Sequence, residues 1–372
     1  MNRRMSDDDV NKWRIALFYH YVNLAGIVDQ EIEFQRKLCD ELDLKGRVRI
    51  SREGINGVLS GRHCRLMEYE ACFARHLEQL KKEKVSETNM NNDDTNHSEL
   101  DIKYCHLRQD LSVEAQQFDS LKLVKTDHVI SLFENDTDSE AVLATTQTQV
   151  DDSHLSVEEW NAKLLQHMET NSGDAILVDS RNVYESRVGH FAVPKIPTML
   201  TNTRKYSDLP QILATSQEIK EKKEIFLHCT GGVRCEPLCQ YMKTMYPDKE
   251  IYQLKGGVQT YLKESNVEDW YKGKNFTFDQ RRTDPVHFGE VVGRCIVCDC
   301  PHDDYDNGHA PKDNKPARCY NCRILILVCN LCREQYQCWG EKEKAGYLPR
   351  LFCGKNECVH EGSAPRPEIL LK

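Results

Sequence analysis

No stretch of this 372-residue chain approaches the ~20 consecutive apolar residues of a membrane-spanning helix. The first residues also lack the apolar core of a secretion signal. Asp7, Asp8 and Asp9 make them too acidic for an organellar transit peptide. These absences lead us to expect a soluble, cytoplasmic protein. A basic excess is missing too: the net charge is −9, which argues against a generally basic nucleic-acid binder. Part of that deficit is local, because residues 134–152 carry six acids and no Lys or Arg, so a local basic surface stays open. Cysteine is the residue in surplus. Of seventeen, ten fall between Cys295 and Cys358. In an exported chain that density means disulfides; without an export signal, paired Cys-x-x-Cys knuckles point to zinc.

The run Glu224-Ile225-Phe226-Leu227-His228-Cys229-Thr230-Gly231-Gly232-Val233-Arg234-Cys235 bears the clearest chemistry. An apolar strand delivers Cys229 to a short loop, and a helix-like segment follows from Cys235 to Met245. Two glycines let several backbone N–H groups curl toward one centre, forming an anion nest. The helix dipole and the Arg234 charge add to it, and together they favour a sulfur anion at Cys229. The alternative, a buried thiol that only packs, explains neither the glycines nor the arginine. Four residues, Thr230, Gly231, Gly232 and Val233, separate the cysteine from the arginine. Cysteine phosphatases use one more, giving a wider cradle for phosphate. The Cys-x-x-Gly-x-Arg form resembles rhodaneses, whose tighter loop holds the terminal sulfur of a persulfide. Asp179 and Arg181 are read as supporting residues at the pocket mouth or as a structural ion pair. Cys235 is read as a resolving thiol or as helix packing.

Strand and helix patterns divide the chain. Trp13 to Tyr19, Arg47 to Ser51, Gly57 to Ser60 and Asp101 to Leu107 read as strands; Asp29 to Leu42 and His63 to Leu80 read as helices. Glu53-Gly54-Ile55-Asn56 is expected to join the middle strands. This β-α-β-β-α-β order predicts a ferredoxin-like α+β sandwich over residues 1–133, with a polar insert at 81–98. An acidic linker, 134–153, follows. Ser156 and Glu159 form a capping-box pattern, and Ala175 to Asp179 reads as a buried parallel strand. Alternating strands and helices then predict a doubly wound α/β domain over 154–272, with Cys229 at the carboxyl end of a strand. Residues 273–372 hold a basic-aromatic segment and a Cys-rich module.

Three knuckles, Cys295-x-x-Cys298, Cys319-x-x-Cys322 and Cys329-x-x-Cys332, are joined by a half-site of Cys353 and Cys358 with His360. Two structural zinc ions would use all of them. The preferred grouping is Cys295, Cys298, Cys319 and Cys322 for one ion and Cys329, Cys332, Cys353 and Cys358 for the other. An interleaved grouping fits the spacing equally, and His360 could replace Cys358. Before the first knuckle, Trp270, Tyr271, Lys272, Lys274, Phe276, Phe278, Arg281 and Arg282 mix rings with cations, a pattern suited to an unstacked nucleotide or to a packed linker.

Three sets of residues align with one family. Ser51-Arg52-Glu53-Gly54-Ile55-Asn56-Gly57 resembles the N-terminal signature of the tRNA uridine hydroxylases. Asp179-Ser180-Arg181-Asn182-x-Tyr184-Glu185 with Gly189-His190-Phe191 is similar to their rhodanese domain. The Cys229 to Glu236 run resembles their active-site loop, and Gly273-Lys274-Asn275-Phe276 fits as well. The resemblance covers nearly the whole chain. It implies an enzyme that uses the loop cysteine, as thiolate or persulfide, to put oxygen on carbon 5 of the wobble uridine of tRNA, with a separate oxygen donor. Eukaryotic relatives are commonly labelled thiosulfate sulfurtransferase or rhodanese-like domain proteins, and a persulfide sulfur carrier with a sulfur donor is the alternative. A non-catalytic zinc-module adaptor is the third. Oligomeric state is not legible.

Overall fold

The computed structural model describes residues 11–87, 100–133, 152–265, 270–284, 290–306, 316–319 and 322–334. The chain is mixed α+β. Its N-terminal layer contains β1 (Trp13–Tyr21), α1 (Val28–Glu41), β2 (Lys45–Ser51), β3 (Gly54–Arg62), α2 (His63–Glu87), β4 (Asp101–His106), α3 (Val113–Gln116) and β5 (Leu121–Lys125). The strands form one sheet in the order β4-β1-β3-β2-β5. All neighbours are antiparallel except β2 and β5, which run parallel. Strand alternation explains the layering. Ala16, Phe18, Val48, Ile50, Ile55 and Leu59 pack under Leu38 of α1 and Tyr69 and Phe73 of α2. Their sequence neighbours Leu17, Tyr19, Arg47, Arg49, Asn56 and Val58 therefore share the face without helices.

Two expectations change here. The β2–β3 turn is only Arg52 and Glu53, because Gly54, Ile55 and Asn56 already pair with Ser51, Ile50 and Arg49. Helix α2 runs to Glu87, seven residues into the polar insert. Lys and Glu are good helix formers, and polarity alone does not end a helix. The rest of that insert, and residues 134–151 of the acidic linker, lie outside the described residues.

The central layer is a five-stranded parallel sheet in the order β6-β11-β10-β7-β9. Its strands are β6 (His154–Leu155), β7 (Ala175–Asp179), β9 (Thr198–Leu200), β10 (Glu224–His228) and β11 (Glu250–Leu254). Between them run α4 (Val157–Thr170), α5 (Val183–Ser186), α6 (Leu209–Thr215), α7 (Gln217–Glu221) and α8 (Cys235–Met245); α9 (Gly257–Glu264) follows β11. Ser156 caps α4 as expected: its hydroxyl accepts from the Glu159 amide at 3.2 Å while the Glu159 carboxylate accepts from the Ser156 amide at 2.8 Å. Both faces of the sheet are buried. Ile176, Val178, Ile225 and Leu227 meet Leu238 and Met242, whereas Leu177 and Phe226 meet Trp160 and Val258. Strand β10 is the middle strand, so its carboxyl end opens at the centre of the layer.

The C-terminal part is stitched on by strand pairing. β12 (Tyr271–Gly273) runs antiparallel to β8 (Gly189–Phe191), and β13 (Asn275–Phe276) pairs with β14 (Thr283–Asp284). Beyond them, Ile324, Ile326 and Val328 cluster with Val183 of α5 and with the knuckle cysteines. Tyr305 donates its hydroxyl to the Tyr184 carbonyl at 2.7 Å. Among the described residues, no helix is long and apolar enough to cross a membrane.

Candidate active site

Cys229 follows β10 directly, and the loop from Thr230 to Arg234 turns the chain into α8. The turn closes with the Cys235 amide donating to the Gly232 carbonyl at 2.9 Å. Gly232 has φ +99, and a Cβ there would lie 2.8 Å from the Tyr19 hydroxyl, so only glycine fits. That conformation aims the Gly232 amide at Cys229 Sγ, 3.1 Å away. The base of the loop is held by the strand–helix junction of β11 and α9. There the Val258 amide donates to the Cys229 carbonyl at 2.9 Å and the Gln259 amide to the Thr230 carbonyl at 3.0 Å.

The electrostatics oppose one another, and the anion wins. Burial pushes the Cys229 thiol up. The Cys235 thiol, the Arg234 charge and the amides of Arg234 and Gly232 outweigh it and lower the group to about 5. Cys235 moves the other way, raised well above an ordinary thiol by burial and by the neighbouring Cys229 sulfur. Two sulfurs six positions apart thus have separate states: Cys229 carries the charge and Cys235 carries the proton. The Ser180 hydroxyl, 3.7 Å from Cys235 Sγ, pulls that thiol down but is outweighed by burial and the Cys229 sulfur.

Arg234 does not stand at the rim. Its guanidinium is buried and forked onto Glu185, with Nη1 donating to Oε2 at 2.7 Å and Nη2 to Oε1 at 2.5 Å. Thr230 donates to the same Glu185 at 2.9 Å, so one carboxylate fixes both ends of the loop. Asp179 and Arg181 form the structural ion pair of the two readings. Both are fully buried, and Arg181 Nε and Nη2 reach Asp179 at 2.8 and 2.7 Å. The other side-chain bonds of Arg181 end at the Gly189 carbonyl and the Tyr271 hydroxyl, tying β7 to β8 and β12.

The N-terminal layer closes the site. The Tyr19 hydroxyl donates to Glu236 Oε1 at 3.0 Å, and the Tyr21 hydroxyl to the Val233 carbonyl at 3.3 Å. Burial, and next the Glu236 charge, push both phenols well above their usual range, so they remain donors. Glu236 Oε2 also lies 2.9 Å from His154 Nε2 and accepts from Gln253 at 3.2 Å. Under this cover Cys229 has no exposed surface. Sequence reasoning did not assign Tyr19, Tyr21 or Glu185 to the site, and carried Glu236 only as the end of the loop motif. Their signals were present: two tyrosines on the face of β1 opposite its core residues, and carboxylates flanking the loop motifs.

Of the two readings of the basic-aromatic segment, the geometry matches the packed linker. Arg281 is fully buried, its Nε and Nη2 on Asp279 at 2.9 and 2.6 Å, with Asp284 as a further partner. Arg282 Nε reaches Asp306 at 2.8 Å, Lys274 reaches Asp303 at 2.9 Å, and Lys272 lies 3.5 Å from Glu290. Phe276 is buried among Val188, Tyr305 and Leu327. These cations neutralise local acids and hold the C-terminal part together.

The cysteines group in the interleaved way. Sγ atoms of Cys295, Cys298, Cys329 and Cys332 lie within 4.8 Å of one another, and those of Cys298 and Cys329 are 3.7 Å apart. A tetrahedral zinc with bonds of ~2.3 Å needs sulfur–sulfur edges of about 3.8 Å. The donor set fits zinc. The preferred grouping of Cys295 and Cys298 with Cys319 and Cys322 is corrected, because packing of the Val328 segment brings the later knuckle to the first. Cys353, Cys358 and His360 lie outside the described residues.

Comparison with known proteins agrees with the motifs. The family described as UPF0176 acylphosphatase like domain matches residues 13–127. The chain is 29% identical over 329 residues to rhodanese-like domain-containing protein 6 of Arabidopsis thaliana, covering 88% of this chain and 52% of that one. It thus spans about half the length of that plant relative. A tRNA uridine(34) hydroxylase of Chlamydia pneumoniae is 28% identical over 335 residues, 88% of this chain and 86% of the relative. A protein of the same name from Leptospira interrogans is 29% identical over 356 residues, 94% and 82% of the two chains. The chain resembles tRNA uridine(34) hydroxylases and rhodanese-like proteins along most of its length.

Proposed function

We infer that this chain is a rhodanese-type cysteine enzyme that acts on tRNA, adding a hydroxyl at carbon 5 of the wobble uridine through Cys229. The observation that carries this is the Gly232 amide held 3.1 Å from a sulfur whose pKa is lowered, in a chain that resembles tRNA uridine(34) hydroxylases. Cys229 serves as thiolate nucleophile, which needs a lowered pKa rather than an adjacent base. Arg234 supplies fixed positive charge, and Glu185 with Thr230 holds the loop in the shape that aims the amides. Cys235 keeps its proton and donates toward Cys229. The net change of C5–H to C5–OH is a two-electron oxidation, so the separate donor must be an oxidant at the level of oxygen or peroxide that gives up one oxygen atom and is itself reduced by two electrons.

The strand order β4-β1-β3-β2 supports a ferredoxin-like N-terminal domain, and the parallel sheet with its cysteine loop supports a rhodanese domain. We assign the cluster of Cys295, Cys298, Cys329 and Cys332 to one structural zinc that fastens the C-terminal part beside α5. A second reading, sulfur transfer, is favoured by the short loop, whose amides would cradle a persulfide equally well.

Mass spectrometry of tRNA nucleosides tests the first reading. Cells lacking the protein, complemented with the wild type, should regain the oxygenated wobble uridine; complementation with Cys229→Ser should not. Equal profiles for both would remove the cysteine from the reaction. Thiocyanate formed from thiosulfate and cyanide by wild type alone would instead establish the sulfur carrier.

A further inference from the structure

On the reading that the substrate is tRNA, we propose that the open face of the N-terminal sheet docks the phosphate backbone of the RNA strand whose uridine reaches Cys229. The face is defined by register. Across the strands run Lys103, Leu17, Val58, Arg47 and Lys122 as direct neighbours. The next row on the same face is Asp101, Tyr19, Asn56, Arg49 and Val124. Arg47, Arg49 and Lys122 are exposed, whereas their alternating neighbours Val48 and Ile50 sit in the core. None of the three has a carboxylate partner among the described residues, in a chain whose net charge is −9.

Three features commit this face to a nucleic-acid backbone. Arg47 and Arg49 are two residues apart on one strand, about 6.7 Å, and Lys122 stands one strand away at about 4.8 Å. Such a flat array of cations matches a row of phosphates. Asn56 and Val58, beside them on β3, carry no charge and are half-buried, and the acid of these two rows, Asp101, stands three strands from Arg49 on β4. The face then leads to the reaction: Arg49, Asn56 and Tyr19 lie on three adjacent strands, about 10 Å from end to end. Tyr19 bonds to Glu236, two residues past Arg234. A strand lying on the cations therefore brings a nearby nucleotide over the active-site loop. Among the described residues, the exposed part of the face has no free aromatic ring, so it grips phosphates and does not stack bases.

The test is binding of an unmodified tRNA transcript to the full chain across a salt series, by fluorescence anisotropy. The variant Arg47→Gln/Arg49→Gln/Lys122→Gln should bind at least tenfold more weakly. Its slope of log affinity against log salt should fall by roughly 2 to 3, one counterion release per lost contact. Arg65→Gln, on the helix-covered side, should bind as the wild type does. Unchanged Cys229 alkylation in the triple variant confirms that the loop is intact. If the wild type binds tRNA and the triple variant binds it equally, the docking face is wrong while the tRNA reading stands. If the wild type binds no tRNA, the reading itself fails and the face falls with it. If polyglutamate, but not tRNA, binds through the three cations, the face serves an acidic protein and the RNA assignment is overturned.

Discussion

Two regions of this molecule carry clustered cations, and they use them in opposite ways. Between Lys272 and Arg282 each Lys or Arg meets an acid, down to the fully buried Arg281–Asp279 pair. On the open sheet face, Arg47, Arg49 and Lys122 stand in solvent with no such partner among the described residues. In sequence the first region looks the better RNA surface, because rings and cations interleave. In space it is glue. The difference teaches that local density of charge says little about its availability. Strand alternation says more, since it fixes which side chains cannot turn inward.

The sharpest way to break this contrast is to remove a cation from each region and measure unfolding. Arg281→Ala leaves Asp279 buried without its partner and should destabilise the chain by about 3–5 kcal/mol in urea titrations. A loss under ~1 kcal/mol would mean that the buried pair is not structural. Arg234 is the intermediate case, a cation held in an ion pair yet acting on a functional atom. Alkylation of wild-type Cys229 should rise with pH and reach half its plateau near pH 5, because thiolate forms above its lowered pKa. Arg234→Gln removes one cause of that lowering, so the half-plateau should move up by a unit or more, toward the ordinary thiol near 9. An unmoved profile would leave the amides and Cys235 as the sole causes.

Smaller effects sharpen the picture of the loop. Gly232→Ala places a Cβ at φ +99 and against Tyr19, and should cost about 1–3 kcal/mol with loss of Cys229 reactivity. At Gly231 a Cβ meets nothing within 4 Å, so Gly231→Ala should fall within about 0.5 kcal/mol of wild type. Equal damage at both would show that strain is not what specifies the turn. Smallest of all, Arg47→Gln, Arg49→Gln and Lys122→Gln should each alter stability by less than about 0.5 kcal/mol. Free surface cations have little to lose on removal, whatever they do for RNA.

Local signals in the sequence were reliable where the physics is local. The strands Ala175–Asp179 and Glu224–His228, the helix Cys235–Met245 and the Ser156 capping box emerge as read. So does the nest around Cys229, because two glycines, a strand end and a helix start lie within a dozen residues. Contacts across long separations were not legible. Tyr19 meets Glu236 over 217 positions, and no periodicity announces that. The same holds for the knuckles: spacing allows either grouping, and only the packing of Ile326 and Val328 beside Val183 brings Cys329 and Cys332 to Cys295 and Cys298. The extension of α2 to Glu87 departs from the expected end at Leu80 for a different reason, since polar composition alone is no stop signal.

One feature of the closed site also bears on survival of the catalyst. A sulfur ionised at neutral pH is the form that peroxides attack first, and damage beyond the sulfenic stage is permanent. Here two phenols from the other layer shut that atom away from bulk water. The resting protein therefore guards its most vulnerable atom behind a hydrogen-bonded cover, and oxidative wear should follow opening of that cover rather than age.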